Sequence, residues 1–179
     1  MWLFIGQALW FILPAGLANI SASLSRFLPI PGTPVDFGKQ WRGKPLFGAN
    51  KTWRGLMAGA IVGQVVYTVQ IYLYRFEFFH NFSMLDYTKH LFFLGALLGL
   101  GALGGDLIKS FFKRRANIPP GHSWLPFDQI DYTIGAIALG SFIFFPGWGK
   151  AAFIVAFGFI LHILFNLLAF VLRLQKNEL

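Results

Sequence analysis

The sequence contains no cysteine, which excludes disulfides, thiolate zinc sites, Fe–S clusters and cysteine nucleophiles. Charge is scarce as well. Asp, Glu, Lys and Arg make up 12% of the 179 residues, about half the share of a soluble domain. So few charges cannot clothe a soluble core of this size. Acids are the rarest, 7 against 15 Lys and Arg, for a net charge of +8. What is present is apolar: 56% hydrophobic, 18% aromatic, mean hydropathy +0.59. That excludes intrinsic disorder and points to an integral membrane protein. The basic excess favours anionic partners such as lipid head groups, phosphates or nucleotides. Nucleic acid is not among them, because the cations lie beside apolar runs.

A membrane helix needs about 20 apolar residues to cross roughly 30 Å of hydrocarbon. Five segments meet or approach this: 1–25, with Pro14 predicting a kink; 55–74; 91–108, apolar except for Asp106; 132–149; and 151–172. In the last, His162 and Asn166 are four apart, the spacing of an interhelical polar contact. Segment 1–25 lacks the basic leader of a cleaved signal peptide and is longer than its apolar region. With five crossings, twelve of the 15 basic residues fall on one side, among them Arg173 and Lys176 at the end. The positive-inside rule makes that side cytoplasmic. The expected fold is therefore an all-α, polytopic, five-helix membrane protein of one domain, 1–179, in the cell membrane, N-terminus outside and C-terminus cytoplasmic. The loop 28–50, with four prolines and four glycines, reads as ordered turn.

The acids gather on the cytoplasmic side. An Asp inside a span costs about 2.5–3.5 kcal/mol on insertion scales and calls for a partner or a purpose. Asp106, Lys109, Ser110, Lys113 and Arg114 recur at helical spacing and form one polar stripe. It reads either as a solvated face with an Asp106–Lys109 salt bridge or as part of a site. Asp128 and Asp131, three apart, repel unless a cation lies between them. They fit either Mg²⁺ binding or a helix N-cap with a dipole partner. Together with Asp106 they favour a three-carboxylate cation site. The run from Gly43 to Gly55, with Gly48, Asn50, Lys51 and Thr52, resembles a P-loop but has two residues too many before Lys51. Its glycines, lysine and hydroxyl at a helix start still suit phosphate oxygens; a basic flank of a span is the other reading. Gly99-Leu100-Gly101-Ala102-Leu103-Gly104 matches a dinucleotide fingerprint but lies inside an apolar span, so its glycines are expected to serve close helix packing.

Gly105-Asp106-Leu107, Ser110-x-x-Lys113-Arg114, Asp128-x-x-Asp131 and Lys51-Thr52-Trp53-x-Gly55 resemble the motifs of the CTP:phosphatidate cytidylyltransferases. Small size and Pro34-Val35-Asp36-Phe37-Gly38 point to the archaeal branch, the CDP-archaeol synthases. The resemblance departs at Asp128-Gln129-Ile130-Asp131, where Asp-Arg-x-Asp is usual, and at Arg54, where bacterial sequences often have Glu. It implies CMP transfer from CTP to a lipid phosphate, with Mg²⁺ as cofactor. Asp106, Asp128 and Asp131 would hold the metal and, with Lys113, form the catalytic set. Substrate binding would fall to Asp36, Lys39, Arg42, Gly48, Asn50, Lys51, Thr52, Ser110, Arg114 and His122. A homodimer is compatible with this reading. The rivals are a CTP-dependent polyprenol or dolichol-type lipid kinase, which would want a base for its alcohol, and an ion-coupled transporter, which would want ionisable residues in several spans.

Overall fold

The computed structural model describes residues 2–89, 92–119 and 122–171. The side chain of Asn166 and the cations Arg173 and Lys176 lie outside the described residues. Helix α1 (Trp2–Leu24) runs through Pro14 and ends in a 3₁₀ turn at Ser25–Phe27. The next loop carries a two-stranded antiparallel hairpin, β1 (Gln40–Trp41) and β2 (Lys44–Pro45), pairing Gln40 with Pro45 and Trp41 with Lys44. Five helices of varied length follow: α2 (Trp53–Leu73), the short α3 (Glu77–Asn81), α4 (Leu94–Arg115), α5 (Phe127–Gly140) and α6 (Trp148–Val171).

Central to the bundle is α4, which packs on α1, α2 and α5, while α6 covers α5. Its glycines set the spacing. A Cβ on Gly99 would collide with the Gly59 carbonyl of α2; one on Gly101 would meet Gly135 of α5; one on Gly105 would fall on the Asp131 carbonyl. Close backbone contact is therefore the purpose of the glycine run, as its apolar setting predicts. Outward faces are apolar. Met57, Ile61, Val65 and Val69 of α2, four residues apart, are all exposed, as suits helices that face hydrocarbon rather than water.

Three helical stretches, Trp2–Phe27, Trp53–Leu73 and Leu94–Arg115, are long and apolar enough to cross a membrane, and Trp148–Leu164 is a shorter apolar one. The expected fourth span, 132–149, takes a different form. Its helix starts five residues earlier, at Phe127, and stops at Gly140 after 14 residues, roughly 21 Å at 1.5 Å per residue. The chain then turns through Pro146 and the positive-φ Gly147 (φ 88°), because proline cannot continue the hydrogen-bond ladder. Two long-range contacts fix the ends of the bundle. Gln7 Nε2 donates to the Asn81 carbonyl at one end, and Lys44 Nζ donates to the Arg115 carbonyl at the other.

Candidate functional site

At the end of the bundle where α2 and α5 begin and α4 finishes lies a cavity of about 500 Å³. Each wall has a local cause. On α2, Thr52 is the N-cap, its hydroxyl oxygen accepting from Gly55 N–H at 3.2 Å. Lys51 is thereby set at a helix N-terminus, where unpaired N–H groups already favour anions. Arg54 donates to the Leu28 and Ile30 carbonyls and pins the loop below α2. Asp36 holds that loop from within: its carboxylate accepts from Gly38, Phe47 and Gly48 N–H groups at 2.9, 3.0 and 3.2 Å. Burial opposes its charge, but these donors prevail and hold its pKa below the usual carboxylate value.

On the far wall, α4 and α5 approach closely enough for their charges to interlock. Lys109 Nζ lies 3.0 Å from Asp106, 2.9 Å from Asp128 and 2.7 Å from Asp131. Lys51 binds the other oxygen of Asp106 at 2.5 Å. Lys113 binds Asp128 at 2.9 Å and donates to the His122 carbonyl at 2.5 Å. Asp128 also accepts from Trp124 N–H. It is not the helix N-cap; Pro126 is, without a side-chain cap. Three carboxylates and three ammonium groups thus form one network in a pocket lined partly by Leu56, Leu103 and Leu107. Low dielectric makes each charge costly unless paired, and here each is paired.

Eight of the expected site residues line this cavity: Asn50, Lys51, Thr52, Asp106, Lys113, His122, Asp128 and Asp131. The other six do not. Asp36 and Gly48 are spent on each other in the loop. Lys39 and Arg42 belong to the hairpin region outside, Arg42 at a turn with φ 53° and over the Trp41 ring. Ser110 is buried away from the cavity. Arg114, at 100° per residue, is turned about 80° round α4 from Asp106; a five-residue polar stripe is too wide for all of it to face one pocket.

The expected site set omits Lys109, Gln129, His162 and, on the uncharged α1, Asn19 and Ser23, all of which line the cavity. Lys109 carried a signal, its i,i+3 spacing to Asp106, but that spacing reads equally as a local salt bridge. Asn19 and Ser23 carried none.

Hard carboxylate oxygens suit a divalent cation such as Mg²⁺, so the donor set fits in kind. In their present positions no group of three acids or histidines among the described residues stands ready to hold a metal. The Lys109 ammonium lies among Asp106, Asp128 and Asp131 instead.

A family model described as CarS-like, CDP-archaeol synthase, matches residues 1–178. The chain is 36% identical over 168 residues to a CDP-archaeol synthase of Pyrococcus furiosus, with 93% of each chain covered. It is 39% identical over 167 residues to that of Pyrococcus abyssi, again with 93% of each covered. To that of Methanocaldococcus jannaschii it is 35% identical over 169 residues, covering 94% of this chain and 93% of the relative. A solved structure of an intramembrane enzyme for archaeal membrane lipids biosynthesis superposes with a TM-score of 0.71 at 27% identity, covering 89% of this chain and 92% of the other.

Proposed function

The chain belongs to the CarS-like family of CDP-archaeol synthases, and from that premise we propose that it transfers CMP from CTP to the phosphate of 2,3-bis-O-geranylgeranylglycerol 1-phosphate, releasing pyrophosphate and forming CDP-archaeol. The observation that carries this reading is the network of Lys51, Lys109 and Lys113 with three aspartates in one pocket at the end of a bundle of apolar helices.

The lipid phosphate oxygen attacks the α-phosphorus of CTP, and the bond to the β-phosphate oxygen breaks. A phosphomonoester has its second pKa near ~6, so the nucleophile is ionised at neutral pH and needs no base. The barrier is repulsion between two polyanions, and the chain's task is to neutralise and align them. Lys51 and the N–H groups of the first turn of α2 hold phosphate oxygens from one wall. Lys109 and Lys113 hold them from the other. Asn50 and the Thr52 hydroxyl, whose proton is free to donate, fix the register between them. Asp106, Asp128 and Asp131 would hold Mg²⁺, which when bound neutralises triphosphate charge. Lys109 would then shift from carboxylates to phosphate. The pocket would face the cytoplasm, where CTP is made, and the lipid tails would leave into the bilayer along Leu56 and Leu103.

The test uses purified protein, CTP, Mg²⁺ and either the ether-lipid phosphate or a polyprenol. CDP-lipid plus pyrophosphate is expected, with activity lost on chelation and restored by Mg²⁺. Phosphorylated polyprenol plus CDP would instead mark a lipid kinase. Asn substitution at each of the three aspartates should abolish turnover in folded protein; near-normal activity in any two would remove the metal assignment.

A further inference from the structure

Outside the catalytic pocket, a second cavity of about 240 Å³ is lined by Trp41, Arg42, Lys44 and Arg115. Three of its four residues are cations, and among the described residues none of the three pairs with a carboxylate. Every acid near the first loop is engaged elsewhere: Asp36 by backbone N–H groups, Asp106 and Asp128 by lysines. Arg115 sits 5.4 Å from the Trp41 ring and 3.9 Å from that of Phe111, and Arg42 lies 5.6 Å from Trp41. Arg115 Nη1 is used, donating to the Pro45 carbonyl at 2.7 Å and the Leu46 carbonyl at 3.1 Å. Its Nη2 is buried with no hydrogen-bond partner.

Such a group is costly to bury unpaired, and three like charges converging without a counter-charge repel one another. A planar guanidinium with a spare donor, beside a second guanidinium and an ammonium, is suited to phosphate oxygens. We infer that this cavity is a second anion site, taking the phosphate of an anionic lipid head group at the bilayer surface. A lipid source is favoured because Trp41, the aromatic residue that lines the cavity, is 51% exposed. Aromatic rings beside cations are the usual composition of a membrane–water interface. The occupant would bridge the hairpin to the end of α4. The same stretch continues through Phe47 and Gly48, clamped by Asp36, to Asn50, Lys51 and Thr52 in the catalytic pocket. A filled site would therefore steady the loop that delivers Lys51.

Native mass spectrometry of the detergent-purified full chain tests this, with phosphatidylglycerol and phosphatidylcholine offered in parallel. The expected result is selective retention of phosphatidylglycerol. Arg42→Gln and Lys44→Gln should each weaken it about fivefold, the effect of one cation near an anionic surface. Arg42 is exposed, so its variant is expected to fold even where Lys44→Gln, which loses the bond to the Arg115 carbonyl, does not. Arg26→Gln is the control, an exposed cation outside this cavity, and should leave retention unchanged. Inorganic phosphate that binds and displaces the lipid would support the site with free phosphate as a ligand. Lipid retained against phosphate would support the head-group source. Equal retention of both lipids, or equal losses in the Arg26 and Arg42 variants, would show diffuse surface attraction and overturn the proposal.

Discussion

Lys109 is the residue on which the site turns. It bonds all three aspartates, and it is the one cation that Asp131 pairs with among the described residues. Lys109→Met would leave that carboxylate without its cation and beside two further carboxylates, so turnover should fall by at least ~100-fold, the size of one lost electrostatic stabiliser. Lys109→Arg keeps the charge but replaces a compact ammonium by a planar fork that cannot meet three carboxylates at one point, so it should recover little. Steady-state assays of both variants decide the matter, and an Arg variant at near wild-type rate would show that charge alone suffices. Asp36 offers a pH test outside the helices. Its native pKa is lowered, because three backbone donors outweigh burial. Its contribution to stability is thus full above the unfolded value of about 3.9 and is lost as pH falls through the lower native pKa. At neutral pH Asp36→Asn should melt below the wild type in detergent, with the gap closing in acid; a gap independent of pH would mean the charge is not what matters. What could be read at this scale was charge out of place: an Asp in an apolar run, two Asp one turn apart, a Lys-Thr before a helix. Gln129 and His162 were harder to place, since polar residues on buried helix faces more often serve packing than substrate.

Helices α4 and α5 place Asp106 beside Asp131 because Gly105 lets the two backbones touch. A Cβ there would fall on the Asp131 carbonyl, which belongs to rigid helix and cannot step aside. Gly105→Ala should separate the helices, cost about 1–3 kcal/mol as overpacking does, and reduce kcat more than the KM for CTP. Gly104→Ala is its control, because nothing lies within 4 Å of that position. Equal activity in the two variants would mean the close approach is irrelevant to catalysis. The glycine run was readable as a packing surface because it lies within an apolar stretch. The hairpin at 40–45 was not, since two-residue strands leave no alternation to detect and proline and glycine signal only a turn. Nor was the early end of α5: residues 141–145 are as apolar as a helix interior, and only Pro146 and Gly147 mark the turn.

At the scale of the whole molecule, both cation-rich segments meet at one end. Lys51 reaches Asp106 and Lys44 reaches the end of α4, while the start of α1 is tied to α3 at the other end by Gln7. The first loop and the end of α4 therefore share a side, as their common basic excess requires under the positive-inside rule. Which compartment that side faces decides whether CTP can reach Lys51. Since the chain has no cysteine, single cysteines report topology without background. Gln40→Cys and Asn117→Cys lie at the end that holds the lysine–aspartate pocket and Glu77→Cys at the opposite one, and all three positions are exposed. In intact cells an impermeant thiol reagent should label position 77 and spare 40 and 117, which should react only after the membrane is opened. Labelling of 40 and 117 in sealed cells would place the pocket outside, where no CTP pool exists. The assigned reaction would then lose its nucleotide supply, however well the aspartates and lysines are arranged.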